Sequence, residues 1–342
     1  MGFRFEAEDA DLAAGMRRIA AEEVARAEAE LADPALPTDR KIHQARKRTK
    51  RLRGLLRLLR PAFPAYRAEA AHLRNAARGL SRLRDRDVMI ATHDALMAAT
   101  GADRRRYAPV RAHLTRARNR VAAQADPEAA LATYMDEMRA LAARAPGWRL
   151  EGKDRKALRA GLERTWARAR KAMKAARRHD DIEHLHEWRK RVKDHWYQAR
   201  LLTPVDPDAL KDQAGAAGDL GELLGDIHDL DVYRAHLEGP EATGLDPARR
   251  AELAALATDR IAALEREAIA LGKRLFAPRP EALARDWTAK WKAWRKAAGE
   301  ASGKAARKGP GKASGKASGK GSRKAARKGS RPSRKTRRTE AA

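Results

Sequence analysis

The sequence predicts an all-α protein: duplicated helical bundles in one chain, followed by a disordered basic C-terminal tail. Three observations carry that prediction. Ala, Leu, Arg, Glu and Lys dominate the 342 residues and β-branched residues are scarce, a composition that suits helices and starves strands. One basic pattern occurs twice: His43-x-x-Arg46-Lys47-Arg48-x-Lys50 returns 143 residues later as His186-x-x-Arg189-Lys190-Arg191-x-Lys193. An echo follows each copy, Arg84-Asp85-Arg86-Asp87-Val88 and then His228-Asp229-Leu230-Asp231-Val232, offset by 144. Two matches at nearly one offset read as an internal duplication, with halves of about 1–146 and 147–298. Third, from Gly299 the chain reduces mostly to Ala, Gly, Ser, Lys and Arg. Such a segment cannot bury enough surface to offset the entropy of ordering, so 299–342 is expected to be disordered.

The elements follow in order. Asp9–Leu31 reads as a first helix with Leu12, Met16, Ile19 and Val24 as its apolar positions. Asp33-Pro34 and Pro37 break it, and Thr38 or Asp39 can cap the next helix. That helix ends at Pro61 and Pro64, and further helices are expected at 65–83, 86–100, 104–125 and 128–144. Pro146-Gly147 is the strongest internal break and marks the boundary between halves. The second half should hold helices over Asp154–Arg178, Asp180–Leu202, 207–225, 229–238, 246–272 and 281–298.

The stretch Ile42–Arg60 organises the rest. At about 100° per residue its side chains separate into two stripes. Ile42, Ala45, Thr49, Leu52, Leu56 and Leu59 form a stripe that can enter a core. His43, Arg46, Lys50, Arg53 and Arg57 form a cationic one, with Lys47 beside it. In the second copy Leu185, Trp188, Val192, Trp196 and Ala199 are the apolar side, and His186, Arg189, Lys190, Lys193 and Arg200 the cationic side. Like charges one turn apart repel, so a polyanion is the natural partner.

The formal charge is +29. Residues 301–342 contain 15 Lys/Arg and one Glu, leaving 60 Lys/Arg against 45 Asp/Glu in 1–300. The folded part is therefore basic on its own account and should concentrate polyanions. With no Cys in the sequence, disulfides and Cys-zinc sites are excluded. No apolar run approaches the ~20 residues of a membrane span, and the acidic start MGFRFEAEDAD does not resemble a signal peptide. A soluble, cytoplasmic protein is expected.

Catalytic signatures are scarce. There is no phosphate-binding glycine loop, no dinucleotide fingerprint and no H-E-x-x-H. His184 and His186 point about 160° apart on a helix, so they make a poor metal pair. The Asp85/Asp87 and Asp229/Asp231 pairs have two readings, Mg²⁺ near bound phosphates or capping and salt bridges that orient arginines. His43 and His186, heading equivalent cationic stripes, are read as anion contacts, since either protonation state can donate to a phosphate oxygen. Trp287, Trp291 and Trp294 form a stripe read as docking the last helix onto a bundle.

The paired ladders, the Asp-x-Asp-Val echoes and the opening FRFEAEDADLAAGMRRIA together resemble the CHAD domain, the conserved histidine α-helical domain, in its stand-alone form. The resemblance spans roughly residues 3–298 and leaves the tail outside. It implies two four-helix bundles about a pseudo-twofold axis with a basic cleft between them. It also implies inorganic polyphosphate as ligand and association with polyphosphate granules. His43, Arg46, Lys47, Lys50, Arg53 and Arg57 would line one wall and His186, Arg189, Lys190, Lys193 and Arg200 the other, with Arg17, Arg78 and Tyr197 in a second tier. Some relatives carry a triphosphate-hydrolase domain with a Glu-x-Glu-x-Lys signature. This chain has Glu6-x-Glu8 followed by Ala10, which argues against hydrolysis. The expectation is a non-catalytic polyphosphate-binding module without cofactor or metal. Two alternatives stay open, a nucleic-acid-binding protein using the cleft and the histone-like tail, and a polyphosphate-processing enzyme using the aspartate pairs.

Overall fold

The structure, a computed structural model, describes residues 2–124, 126–179 and 181–307, in backbone alone at 81–87, 124 and 301–307. Among these residues it is all-α, without a strand. The helices are α1 (Leu12–Ala32), α2 (Thr38–Leu59), α3 (Tyr66–Arg78), α4 (Ser81–Thr100), α5 (Arg104–Gln124), α6 (Pro127–Arg144), α7 (Asp154–Ala176), α8 (Ile182–Leu202), α9 (Pro207–Glu238), α10 (Pro247–Leu275) and α11 (Pro280–Arg307). Residues up to Glu300 form one compact unit. Short 3-10 turns at Arg60–Ala62 and Thr203–Val205 follow α2 and α8, each seeded by the proline that stops the helix before it.

Local chemistry sets the starts. Asp11, Asp126, Asp181, Asp206 and Asp246 cap α1, α6, α8, α9 and α10, each accepting from a backbone N–H two or three residues on. In α6, α9 and α10 the cap is followed directly by Pro, whose missing N–H costs nothing in the first turn. Helix α1 begins three residues later than Asp9 because Asp9 is used otherwise. Its carboxylate accepts from Arg18 Nε at 2.7 Å and Nη2 at 2.8 Å. Helix α2 departs from expectation too. Its N-cap position is Pro37, with no side-chain cap, and Thr38 and Asp39 lie inside the first turn.

Three boundaries differ further. The break between α3 and α4 falls at Gly79-Leu80, earlier than the expected 84–85. Residues 207–238, expected as two helices, are one. Leu224, Ile227 and Leu230 are all buried there, between α8 and α10, so tertiary packing carries the helix through Asp226 and Asp229. Helix α11 continues past Gly299 to Arg307, since Ala, Lys and Arg are good helix formers whatever they lack in apolar surface. The expected disorder of 308–342 lies outside the described residues.

Helices α2 and α8 are the innermost. Helix α2 packs on α1, α3, α4, α6, α7 and α8, and α8 on α7, α9 and α2. Their apolar stripes are buried as the periodicity predicts: Ile42, Ala45, Thr49, Leu52, Leu56 and Leu59 on one, Leu185, Trp188, Val192 and Ala199 on the other. Two glycines permit the close approaches. A Cβ on Gly161 of α7 would overlap the Leu58 carbonyl oxygen of α2, and one on Gly272 of α10 would overlap the Trp188 ring.

The N-terminal segment is clamped between α8 and α11. Phe5 N–H donates to the Leu201 carbonyl at 2.9 Å, and its ring meets Trp291 edge-on at 5.4 Å. Arg295 of α11 donates to the carbonyls of Ala7 (3.0 Å) and Ala10 (2.8 Å). Trp287 and Trp291 are buried and Trp294 partly so, which is the docking stripe expected of them.

His195 is enclosed by Trp166, Trp287 and Phe276. Full burial pushes its imidazole down to about 3, because a largely aromatic cage, with Gln213 Nε2 at 3.1 Å from the imidazole Nε2, disfavours the charged form. The unfolded chain, with an ordinary histidine, binds more protons below pH 6.5, so stability falls as pH drops through that window toward 3. At pH 5 this group alone should have cost about 2 kcal/mol. His195→Phe should flatten the acid limb of the melting temperature against pH between 7 and 5, read by circular dichroism.

Candidate functional site

The two cationic helices touch. A Cβ on Gly54 would sit 2.6 Å from Tyr197 Cβ, so glycine is what lets α2 and α8 meet here. Arg57 then pairs with Asp194, and Arg51 lies close enough to Arg200 to depress its guanidinium, after burial has done most of it. Partner numbers fall on one helix as they rise on the other, so the pair is antiparallel. His43, Arg46 and Lys50 precede Gly54 by the same steps as His186, Arg189 and Lys193 precede Tyr197. Both stripes sit at one angular offset, about 60°, from their contact residue. In an antiparallel pair an equal rotation in one sense places both on the same face. Each imidazole is about 16 Å along its helix from the crossing, in opposite directions. The stripes therefore meet end to end rather than facing each other along their length.

Carboxylates from elsewhere make this contact tolerable. Glu23 of α1 is fully buried and receives Arg48 Nη1 at 3.1 Å, Arg51 Nη1 at 3.1 Å and Arg26 Nη1 at 3.2 Å. Glu30 also holds Arg48. On the other side Asp194, itself buried, takes Arg57 and Arg191, the latter at 2.9 Å. Burial raises the Asp194 carboxyl, and Arg57 and Arg191 pull it back. None of these pairings was legible in the ladder itself.

The remaining stripe residues keep their charge toward one face. His43 and Lys50 are exposed and Arg46 is half-buried. Burial, then Arg51 and Arg48, push the Lys47 ammonium down. Arg53 is lowered by burial and next by Arg57. Lys193 is lowered by burial and by Arg189. Lys190 is exposed, 3.9 Å from Glu187. Burial is the largest cause of each shift, and a neighbouring cation adds to it.

Beside α8 the sequence hid a feature. Helix α9 presents Gly218, Gly221 and Gly225 toward it, against Trp196, Lys193 and Arg189 respectively. A Cβ on Gly221 would lie 2.8 Å from Lys193 Cε, and one on Gly225 3.1 Å from Arg189 Nη2. The bare backbone lets these cationic stems lie flat, although each helical glycine costs about 1 kcal/mol against alanine. The spacing of those glycines was the available signal. One turn on, the rings of His186 and His228 lie with centroids 4.4 Å apart, tilted by 41°. Burial first, then His228, Lys190 and Arg189, push His186 down to about 4, and its buried Nδ1 has no hydrogen-bond partner among the described residues.

Several expected assignments move. Trp196 packs against the core as its stripe position predicts, but it is only half-buried and also serves the cationic side, with Lys193 Nζ 5.0 Å and Arg200 Cζ 4.6 Å from its ring centroid. Tyr197 is 8% exposed and packs edge-on against Phe3 and Trp196, so its place is the helix crossing. Arg17 donates to the Trp148 carbonyl at 2.9 Å, and Arg78 to Asn75 Oδ1 at 2.9 Å; neither touches a ladder residue in these bonds. His184 turns to Asp181 (2.6 Å) and His179, away from His186. Asp231 pairs with Arg234 at 2.9 Å, while Asp226 and Asp229 line a groove with Arg260 between α4, α9 and α10. The side chains of Asp85 and Asp87 lie outside the described residues. No group of His, Asp and Glu that could hold a metal occurs among the described residues, and no described helix is long and apolar enough to cross a membrane.

A model of the CHAD domain matches residues 18–238, across both basic helices. The chain belongs to the CHAD family. The crystal structure of the CHAD domain from the plant Ricinus communis is similar over 84% of this chain and 96% of that one, at 19% identity with a TM-score of 0.49. A comparison with curated proteins found no match.

Removing one buried acid while leaving its arginines should be severe. Glu23→Gln leaves Arg48 and Arg51 under-compensated in the interior and should cost roughly 3–5 kcal/mol. Urea unfolding should read this as a lower midpoint with an unchanged slope.

Proposed function

We propose that this CHAD protein is a non-catalytic binder of inorganic polyphosphate. The observation that carries the reading is the shared face of α2 and α8, where two cationic stripes run outward from one crossing. That face favours a thin, flexible, base-free chain of phosphates over a ~20 Å duplex, whose grooves suit projecting helices. The resemblance read from the ladders points to the same ligand. Arg46 and Arg189 supply paired hydrogen bonds to successive phosphates, while Lys47, Lys50, Lys190 and Lys193 supply charge with looser geometry. His43 and His186 add contacts at the two ends. Arg53, Arg57 and Arg200 stand nearer the crossing, where Arg57 already shares Asp194. Counterion release from the polymer contributes much of the free energy. No enzymatic step is assigned, and association with polyphosphate granules follows from the ligand.

Arg46→Ala with Arg189→Ala should weaken polyphosphate binding tenfold or more, at roughly 1.5–3 kcal/mol per charged hydrogen bond. It should also flatten the plot of log affinity against log salt by about 1–2. Unchanged affinity in a variant with an unaltered melting temperature rejects the assignment.

The second reading, nucleic acid, is favoured by the basic composition of 301–342 and by Trp196 held between two cations, a surface on which a base could stack. Competition decides between them. Polyphosphate at equal phosphate concentration should displace double-stranded DNA from the full chain and from a version ending at residue 298, and DNA prevailing in the shorter chain overturns the proposal. Incubation with polyphosphate and Mg²⁺ should release no orthophosphate; steady release abolished by Asp229→Asn would restore the enzymatic alternative.

A further inference from the structure

Away from the cationic stripes, charge is sorted by sign into two patches of the folded unit. Helix α5 holds seven Arg and no acid, while residues 28–39 and 126–137 together hold eight Asp/Glu and no Lys or Arg.

Helix α5 packs mainly on α4. Tyr107, Val110, Leu114 and Ala117 form its buried side. On the opposite side, about 180° round the helix, Ala108, Ala112 and Asn119 make an exposed ridge of small side chains. Arg105, Arg116 and Arg120 run along one edge of that ridge, all exposed. Arg106 pairs with Glu252, and Arg111 with Asp94 at 2.7 Å. Arg105, Arg116 and Arg120 have no carboxylate in salt-bridge range among the described residues.

The acidic patch is a groove of about 410 Å³ between α1, the start of α2 and α6. Leu31 of α1 with Leu131 and Met135 of α6 form its floor, beside the small Ala32 and Ala132. Glu28, Glu128 and Asp136 stand exposed on the rim, with Lys41 and Arg139 as the cations of the lining. Arg139 reaches Glu28 at 2.6 Å and Asp136 at 3.4 Å, exposed pairs of a kind that adds little to stability and can be shared. Glu128 has no cation in salt-bridge range among the described residues.

We propose that this groove is a self-association site whose occupant is α5 of a second copy of the chain. A ridge of small side chains lets one helix seat closely between two others. The three edge arginines then meet the three rim carboxylates, a pairing that suits forked guanidinium donors. Helices α5 and α6 are both roughly 30 Å long by their residue counts, so the edge can follow the rim. A nucleic acid would answer α5 but be repelled by the groove, whereas a second copy answers both patches. Because the patches differ, the contact either closes as a reciprocal pair or continues head to tail. It makes no use of the α2–α8 face and stands apart from the polymer reading.

The test is the mass of the full chain in solution, by sedimentation velocity without any polyanion, across protein concentration and salt. The native chain should associate as concentration rises and come apart as salt is added, since exposed charges are screened. Arg105→Glu with Arg116→Glu on α5 should weaken association about a hundredfold or more, and so should Glu28→Lys with Asp136→Lys on the groove. Both variants alter exposed side chains and should keep the native circular dichroism. Mixed in equal amounts they should regain association, because intact ridge meets intact groove and reversed ridge meets reversed groove. Ala at the same four positions should give a milder loss, and it guards against a reversal that disturbs the fold. A native chain that stays monomeric at every concentration overturns the proposal. So does association that survives the α5 change, or a mixture that stays monomeric. A chain that binds no polyphosphate yet shows this pattern would reject the polymer reading and leave the self-association site standing.

Discussion

Two helices that repel each other are held in contact at the centre of this protein, and most of the structure answers that constraint. Helix α2 carries nine Lys/Arg against one acid and α8 five Lys/Arg, yet Gly54 and Tyr197 bring their backbones together. Bare, such a crossing would fly apart. It is held by apolar stripes on the far sides and by acids delivered from other positions, Glu23 and Glu30 from α1 and Asp194 within α8. Buried acids of this kind do not make a fold stable by themselves, since their desolvation is costly. Their role is to permit an arrangement that would otherwise be forbidden.

The surplus positive charge follows from the same constraint. Acids satisfy the arginines that point inward at the crossing. The outward residues, Lys47, Arg53, Lys193 and His186 among them, are partly desolvated by neighbours yet receive too little negative charge, and all are shifted toward their neutral forms. A ligand that brings charge relieves this without moving the scaffold. Binding and packing thus draw on one set of side chains, divided by the direction each leaves its helix.

How much of this could be read from the sequence depended on whether the signal was local. The apolar stripe from Ile42 to Leu59 obeys a 3.6-residue period, and every member is buried. The twin ladders were equally plain. Glu23 was not, because nothing near it in the chain marks an acid that must serve arginines 25 and 28 residues away. Asp194 sat unnoticed inside the second ladder, although a lone acid among cations is itself a signal. The spacing of Trp196 showed its packing against the core but not its cation contacts, because a large amphipathic ring can serve both surfaces. The division of α9 at Asp226 and His228 followed polarity, and burial of Ile227 and Leu230 outweighed it. The glycines of α9 carried spacing information, but their meaning appears only once the opposing lysine and arginine are in place.

The clamp of the first residues beneath the last helix has a consequence for biosynthesis. Phe5 needs the Leu201 carbonyl from α8 and the ring of Trp291 from α11, and Arg295 closes over the backbone at Ala7 and Ala10. A chain emerging from the ribosome holds Phe5 uncovered until α11, the last helix of the folded unit, has been translated. The stretch from Phe5 to Ala10 therefore reaches its final contacts only after α11 has been made.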